Sequence, residues 1–205
     1  SAGLSTALAN YVRKGGCLVY YALDGNVTST NIVVNGIFGS NYSATAIGNG
    51  SPSNADDQLY LINNDLNDPI INGPFGNAAG YYWGEDNAHA NTMILNALPP
   101  NSVQVCSASN SNHTNLLPTS SVVWYSKSSN LFFFGDTVGA AIAGTGDGNN
   151  TTGWPSLYST TGIPMPKRYG FVNTSLNQWC YNSILEMNAI AFYIRQAAVS
   201  GINPY

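Results

Sequence analysis

The sequence predicts an α/β protein in which a mainly parallel β-sheet is covered by helices. Apolar residues recur at helical spacing over residues 4–12, and two cations follow in the last turn, where they complement the helix dipole. The Gly15–Gly16 pair then ends the helix. Residues 17–23 form a continuous apolar run, which is typical of a strand covered on both faces. A helix that leads directly into such a strand is a unit of a helix-covered parallel sheet. The apolar positions of the helix are Leu4, Leu8, Tyr11 and Val12.

The remaining elements are predicted from turn residues and apolar runs along the chain. Thr28 or Ser29 caps a helix that extends to about Ile37, and the polar residues 39–57 predict a long loop. A β-hairpin is predicted where a short polar turn, 127–130, separates two apolar runs. In chain order, the further elements are a strand over 58–63, turns over 65–80, a strand over 102–107, the hairpin strands 121–126 and 131–135, and a helix over about 182–200.

The chain is expected to form one α/β domain over residues 1–205, because its length suits one core and no long linker divides it. A doubly wound domain usually begins with a strand, whereas this sequence begins with a helix. The sequence therefore predicts either a first βα unit upstream of residue 1 or a sheet that is completed in another way.

The composition is unusually poor in charge. Charged residues make up 8% of the chain, the net charge is −4, and there are six Lys and Arg in all, whereas ordinary soluble proteins are about 25% charged. So few cations argue against nucleic acid as a partner, and no apolar run approaches the ~20 residues of a membrane span. A surface covered by uncharged polar residues is typical of secreted and surface-attached proteins, so we expect an extracellular or cell-surface location.

The three cysteines do not have the spacing of a zinc site, and no phosphate-binding motif is present, so no metal or cofactor is expected. Cys17 begins an apolar strand and is interpreted as a small core residue. Cys106 and Cys180 are candidates for a disulfide. The alternative is that they are two separate buried thiols.

Two acids, Asp24 and Asp136, each follow a predicted strand. If those strands are parallel neighbours, both acids flank one crevice at the carboxyl edge of the sheet, where ligands collect in α/β proteins. Such a pair would suit a cation or a sugar hydroxyl. The alternative is that each acid caps the turn that follows it.

A polar cluster over residues 85–89 contains Glu85, Asp86 and His89. An acid that orients a histidine produces a base or a metal ligand, and the alternative is a hydrogen-bonded surface turn. Nearby aromatic residues, of which Trp83 is one, and Trp154 further along the chain would offer stacking platforms for sugars. Packing in the core or in an interface is the alternative for these rings.

Five short segments, spread over most of the chain, carry a resemblance to a known family. They are Tyr11–Val19, Asp68–Gly76, Tyr82–Asp86, Asn130–Asp136 and the helix that follows Asn182. The pattern resembles the class I glutamine amidotransferase-like superfamily, and more narrowly the non-catalytic versions found in bacterial surface and secreted proteins. The resemblance implies a flavodoxin-like fold with a β-hairpin and long polar loops.

The enzymes of that superfamily carry a nucleophilic cysteine in a tight turn between strand and helix, supported by a histidine and an acid. This sequence has neither G-x-C-x-G nor G-x-S-x-G. Cys17 lies at the start of its strand, away from the carboxyl edge, and Cys180 has no histidine near it in sequence. No residue is therefore assigned a catalytic role, and the sequence favours a protein that is not an enzyme.

The function predicted from these observations is a non-catalytic extracellular domain with a structural or protein-interaction role, such as a module of a surface assembly. Its expected partners are other protein chains or further copies of itself, because low surface charge weakens the repulsion between copies. The alternative is a carbohydrate-binding or carbohydrate-processing domain that uses strand-end acids and exposed aromatic rings, with a glycan as its ligand.

Overall fold

A computed structural model describes residues 2–22, 26–39, 42–47, 59–84, 92–109, 116–135, 156–169 and 178–199. The helices are α1 (Ala2–Arg13), α2 (Val27–Phe38) and α3 (Asn182–Val199). The strands are β1 (Leu18–Tyr21), β2 (Ala44–Ile47), β3 (Leu59–Ile62), β4 (Asn72–Gly73), β5 (Gly76–Asn77), β6 (Tyr82–Gly84), β7 (Thr92–Leu95), β8 (Ser102–Ser109), β9 (Leu116–Ser126), β10 (Leu131–Phe134), β11 (Leu157–Tyr158), β12 (Pro164–Met165), β13 (Lys167–Tyr169) and β14 (Gln178–Cys180).

The predicted fold class, a helix-covered parallel sheet of flavodoxin-like type, is wrong. Eight strands form one mixed sheet that curls into a half-barrel, in the order β1-β10-β9-β8-β3-β6-β14-β13. Only the pairs β1/β10 and β6/β14 of this sheet are parallel, and the other pairs are antiparallel. A parallel pair needs a long crossover, usually a helix, and the three described helices are too few to connect eight strands in that way.

The opening αβ unit is nevertheless confirmed as a local structure. α1 leads into β1, which pairs in parallel with β10 in the register Leu18↔Leu131 to Tyr21↔Phe134. Along β10, Leu131 and Phe133 pack with α1 and α2, whereas Phe132 and Phe134 pack on the opposite face with α3. Alternating side chains therefore enter two separate apolar clusters, which explains why the sequence of this strand shows no polar alternation.

The buried face of α1 differs from the predicted one. Ala9 and Val12 are buried against the sheet, whereas the side chains of Leu4 and Tyr11 are 58% and 52% exposed. The helical spacing was correct, but part of the apolar stripe that it defines lies on the protein surface.

The ends of α2 are set by local hydrogen bonds. The Asn26 side chain accepts a hydrogen bond from the Ser29 amide at 3.0 Å, so the helix begins before the predicted Thr28 or Ser29 cap. Gly39 ends it in the left-handed region at φ 78°, where a glycine carries no Cβ penalty.

Most of the other local predictions are confirmed. β3 falls within the predicted strand 58–63, and β9 and β10 form the predicted antiparallel hairpin. β8 covers 102–107, and α3 matches the predicted helix over 182–200 to within a residue. Part of the predicted loop over 39–57 is instead a strand, because β2 pairs with β7. The rest of that loop lies largely outside the described residues.

The turn segment 65–80 is attached to α3 through one buried amide. Asn188 Nδ2 donates to the carbonyl oxygens of Ile70 and Gly76, at 3.0 and 2.9 Å, and Asn188 Oδ1 accepts from the Phe75 amide at 2.9 Å. Within the segment, the buried Asp68 accepts hydrogen bonds from the Ile70 amide and from the Tyr125 hydroxyl. Polar side chains thus satisfy the backbone of an irregular segment where it meets the core.

Candidate functional site

The structure describes few of the residues that the sequence analysis proposed for a site. Asp24, Glu85, Asp86, His89, Asp136 and Trp154 lie outside the described residues. Trp83 is described, and its side chain is fully buried in β6, where it packs against Tyr60 with ring centroids 5.7 Å apart. Trp83 is therefore packed in the core, which is the alternative given for it in the sequence analysis, and it is not an exposed stacking platform.

Asp24 and Asp136 could flank one crevice only if the strands that precede them are parallel neighbours, and these strands are. β1 and β10 are parallel neighbours, and their last residues, Tyr21 and Phe134, are in register. The two strands therefore end at the same edge of the sheet, which is the edge where ligands bind in α/β proteins.

A buried carboxyl group lies beside the end of β1. Glu186 of α3 is 7% exposed and accepts hydrogen bonds from the hydroxyl groups of Tyr21 and Tyr158, the latter at 3.2 Å. Burial raises the pKa of Glu186, and the two tyrosine hydrogen bonds oppose that shift. Burial also raises the pKa of both tyrosines, so they remain hydrogen-bond donors.

Sequence reasoning did not find Glu186. The available signal was that it is the only charged residue between Asn182 and Ile194, a stretch that is otherwise apolar or neutral. A single acid in such a helix indicates a buried carboxyl group with dedicated donors. With two tyrosines as its hydrogen-bond partners, Glu186 ties α3 to β1 and β11, and these contacts give it a structural role.

The candidate disulfide between Cys106 and Cys180 is not formed. All three cysteines are free thiols, and β3 and β6 lie between β8, which carries Cys106, and β14, which carries Cys180. Both thiols are buried, and burial raises their pKa.

Cys17 is half-buried: it packs against the main core cluster, as its interpretation as a core residue requires, but it also lines a groove on the surface. We call this cavity of about 400 Å³ between α1, β1 and α3 the β1 groove. Its described lining is almost entirely apolar, with Lys14 as the one charged residue: Tyr11, Lys14, Gly15, Gly16, Cys17, Val19, Ile190, Tyr193, Ile194 and Ala197. Its volume lies within the range of about 300–1,000 Å³ that is usual for binding pockets.

Two observations set the β1 groove apart from ordinary surface. Its rim carries Tyr11 and Ile194, whose side chains are 52% and 65% exposed. Tyr193 also lines the groove, and its buried hydroxyl group has no hydrogen-bond partner among the described residues. Burial of an unpaired hydroxyl is costly, and exposed apolar side chains around a cavity mark binding surfaces.

Other classes of site find no support in the described part of the chain. There, no group of three or more His, Cys, Asp or Glu side chains is placed to hold a metal ion. None of the described helices is long and apolar enough to cross a membrane.

Comparison of the chain with protein-family models, with curated proteins and with solved structures found no match. Nothing in these comparisons identifies a glutamine amidotransferase-like domain.

Proposed function

We propose that this protein is a non-catalytic, extracellular interaction domain, and that its contact surface is the outer edge of β1 together with the β1 groove. The observation that carries the proposal is that β1 is the outermost strand of the sheet in the described structure. The scarcity of charged residues supports an extracellular location.

The outer edge of β1 has backbone groups available for pairing. The amides of Leu18 and Ala22 donate to Asn130 and Phe134 carbonyl oxygens, both at 2.9 Å. Because backbone groups alternate in direction along a strand, the N–H and C=O groups of Val19 and Tyr21 are directed away from β10. An extended segment of another chain can hydrogen-bond to these groups and add a strand to the sheet.

Natural proteins usually protect such an edge with charged side chains, proline or a bulge. Residues 17–22 contain neither a charge nor a proline. The edge is instead bordered by the apolar β1 groove, which would accept side chains of an added strand. Lys14 is the only charged residue among the described lining of the groove, so the preferred occupant is an extended apolar segment of a partner protein that carries an acid opposite Lys14.

The test uses extended peptides selected for binding from a displayed random library. We expect the selected peptides to share alternating apolar residues and one acid, and to slow hydrogen exchange at the Val19 and Tyr21 amides. Two substitutions should abolish binding. Ile194→Glu places a charge in the groove, and Val19→Pro removes an outward-directed amide without breaking a bond to β10.

The matched control is Ile32→Glu, because Ile32 is also an exposed apolar residue, 37% exposed, but lies on α2. Equal loss of binding in this control, or no exchange protection at the two amides, would refute the proposed surface. If both amides become protected as protein concentration rises without peptide, the occupant is a second copy of the chain and the proposed partner is wrong.

A further inference from the structure

A second groove lies on the other flank of α3. It consists of two adjoining cavities of about 730 and 290 Å³, which share the lining residues Pro69, Phe192 and Gln196. We call it the α3 groove. Arg195 lines the larger cavity and Lys127 lines the smaller one.

The α3 groove concentrates positive charge. The chain has only six Lys and Arg and a net charge of −4, yet two of those cations line this groove, and no carboxylate is among its described lining residues. The carboxylate of the neighbouring Asp68 is buried and is occupied by hydrogen bonds from backbone amides and from Tyr125. Asp65 and Asp68 act electrostatically on Tyr125 in the smaller cavity. The positions that favour an anion are therefore the exposed side chains of Arg195 and Lys127, away from Tyr125.

The shared part of the groove has an apolar platform. The ring of Phe192 is held by Tyr125 and Tyr193, with centroids 5.8 and 5.3 Å away, and Pro69 lies beside it as an exposed ring. Asn72 lines one cavity and Asn130 the other. Apolar rings bordered by a few amide groups suit a ligand that has an apolar face and several hydroxyl groups.

We propose that the α3 groove binds a carboxylate-bearing sugar, such as a uronic acid residue of an acidic polysaccharide. Phe192 stacks on the face of the sugar ring, and Arg195 and Lys127 pair with carboxylates. The amide nitrogens of Asn72 and Asn130 already donate to the Leu66 and Gly15 carbonyl oxygens, at 3.0 and 3.3 Å, so it is their side-chain oxygens that accept hydrogen bonds from the sugar hydroxyl groups. Arg195 offers the bidentate geometry that suits a carboxylate. This site borders the surface proposed above, since Tyr193 lines both grooves and Asn130 donates to the Gly15 carbonyl oxygen, but it does not use the outer edge of β1.

The experiment is a calorimetric titration of the protein with a galacturonic acid tetrasaccharide, at low and at physiological salt. We expect saturable binding that weakens as salt increases. Arg195→Gln and Lys127→Gln should each weaken it by about tenfold, since each removes a charge-assisted hydrogen bond. Phe192→Leu should also weaken it while retaining an apolar side chain in the core.

Three controls make the result decisive. Arg13→Gln removes an exposed cation on α1 and should leave binding unchanged. A neutral galactose tetrasaccharide should bind much more weakly than the acidic one, and benzoate should not compete. The proposal is overturned if the acidic sugar does not bind, if the Arg13 variant loses as much affinity as the Arg195 variant, or if the neutral sugar or benzoate binds equally well. Thermal unfolding of each variant separates loss of binding from loss of the fold.

Discussion

Replacing Asn188 by alanine tests whether the turn segment 65–80 depends on α3. Asn188 is fully buried and makes three hydrogen bonds to that segment, at 2.9–3.0 Å. Asn188→Ala leaves the Phe75 amide and the carbonyl oxygens of Ile70 and Gly76 without this partner. The segment also lines the α3 groove through Pro69, so its attachment matters for the proposed ligand site.

The expected loss follows from these three bonds. A buried backbone group that loses its partner costs about 1–3 kcal/mol, so the lower limit for three groups gives a loss of about 3 kcal/mol in the free energy of unfolding. Stabilities of whole domains are about 5–15 kcal/mol, so the variant should fold but be clearly weakened. With a urea m-value of about 2 kcal/mol/M, the midpoint should fall by about 1.5 M.

The assay is urea denaturation followed by tryptophan fluorescence, with Ala198→Gln, an exposed position on the same helix, as the control. The control should lie within about 0.5 kcal/mol of the native protein. Asn188→Asp keeps the acceptor for Phe75 but sets a carboxylate oxygen against two carbonyl oxygens, so it should be at least as destabilising at neutral pH and recover partly in acid. A loss of less than about 1 kcal/mol for Asn188→Ala would show that the three bonds do not hold the segment.

Three further predictions concern other parts of the molecule. Burial raises the pKa of Glu186 in the folded protein, so its contribution to stability is greatest below the unfolded pKa of about 4.3 and is lost as pH rises through the folded pKa. Glu186→Gln should therefore reduce the loss of stability that occurs as the pH rises above about 4.3. Urea midpoints measured across a pH series follow this loss. Gly39→Ala should lower the free energy of unfolding by about 1 kcal/mol, measured by thermal unfolding, because Gly39 has φ 78° although the space around it is open. The control Gly3→Ala is also in open space but lies in a helix, so it should cost nothing. Equal effects of the two substitutions would contradict this reasoning. An alkylating reagent should label only Cys17 in the native protein, and slowly, because burial raises the pKa of that thiol. In protein that is denatured without a reducing agent, it should label all three cysteines. A single label after denaturation would reveal a disulfide.

Local sequence features predicted the individual elements well. The Gly15–Gly16 stop, the polar turn before β10 and the apolar spacing of α3 each depend on residues close together in sequence, and the elements they predict are present. These features depend on backbone conformation and on short-range patterning, which a single sequence records directly.

Apart from the β9–β10 hairpin, strand pairing was not predicted, because it depends on contacts between distant residues. The side chains of β1 are half-buried and pack against apolar clusters on both faces, which explains its continuous apolar run. Such a run does not distinguish a fully parallel sheet from a sheet in which most pairs are antiparallel. For the same reason, the sequence did not predict which apolar side chains remain exposed on the surface. Apolar spacing identified the stripe of α1, but not that Leu4 and Tyr11 are left exposed when Ala9 and Val12 face the sheet.

The buried polar side chains of α3 have a consequence for biosynthesis. Asn182 bonds to Gly84, Glu186 to Tyr21 and Asn188 to the segment 65–80, across sequence separations of 98 to 165 residues. A ribosome releases the sheet strands before it releases α3, so one face of the half-barrel, with its phenylalanine side chains, stays uncovered during most of translation. Folding that depends on such distant contacts is slow, and exposed apolar surface makes the nascent chain prone to aggregate until α3 emerges.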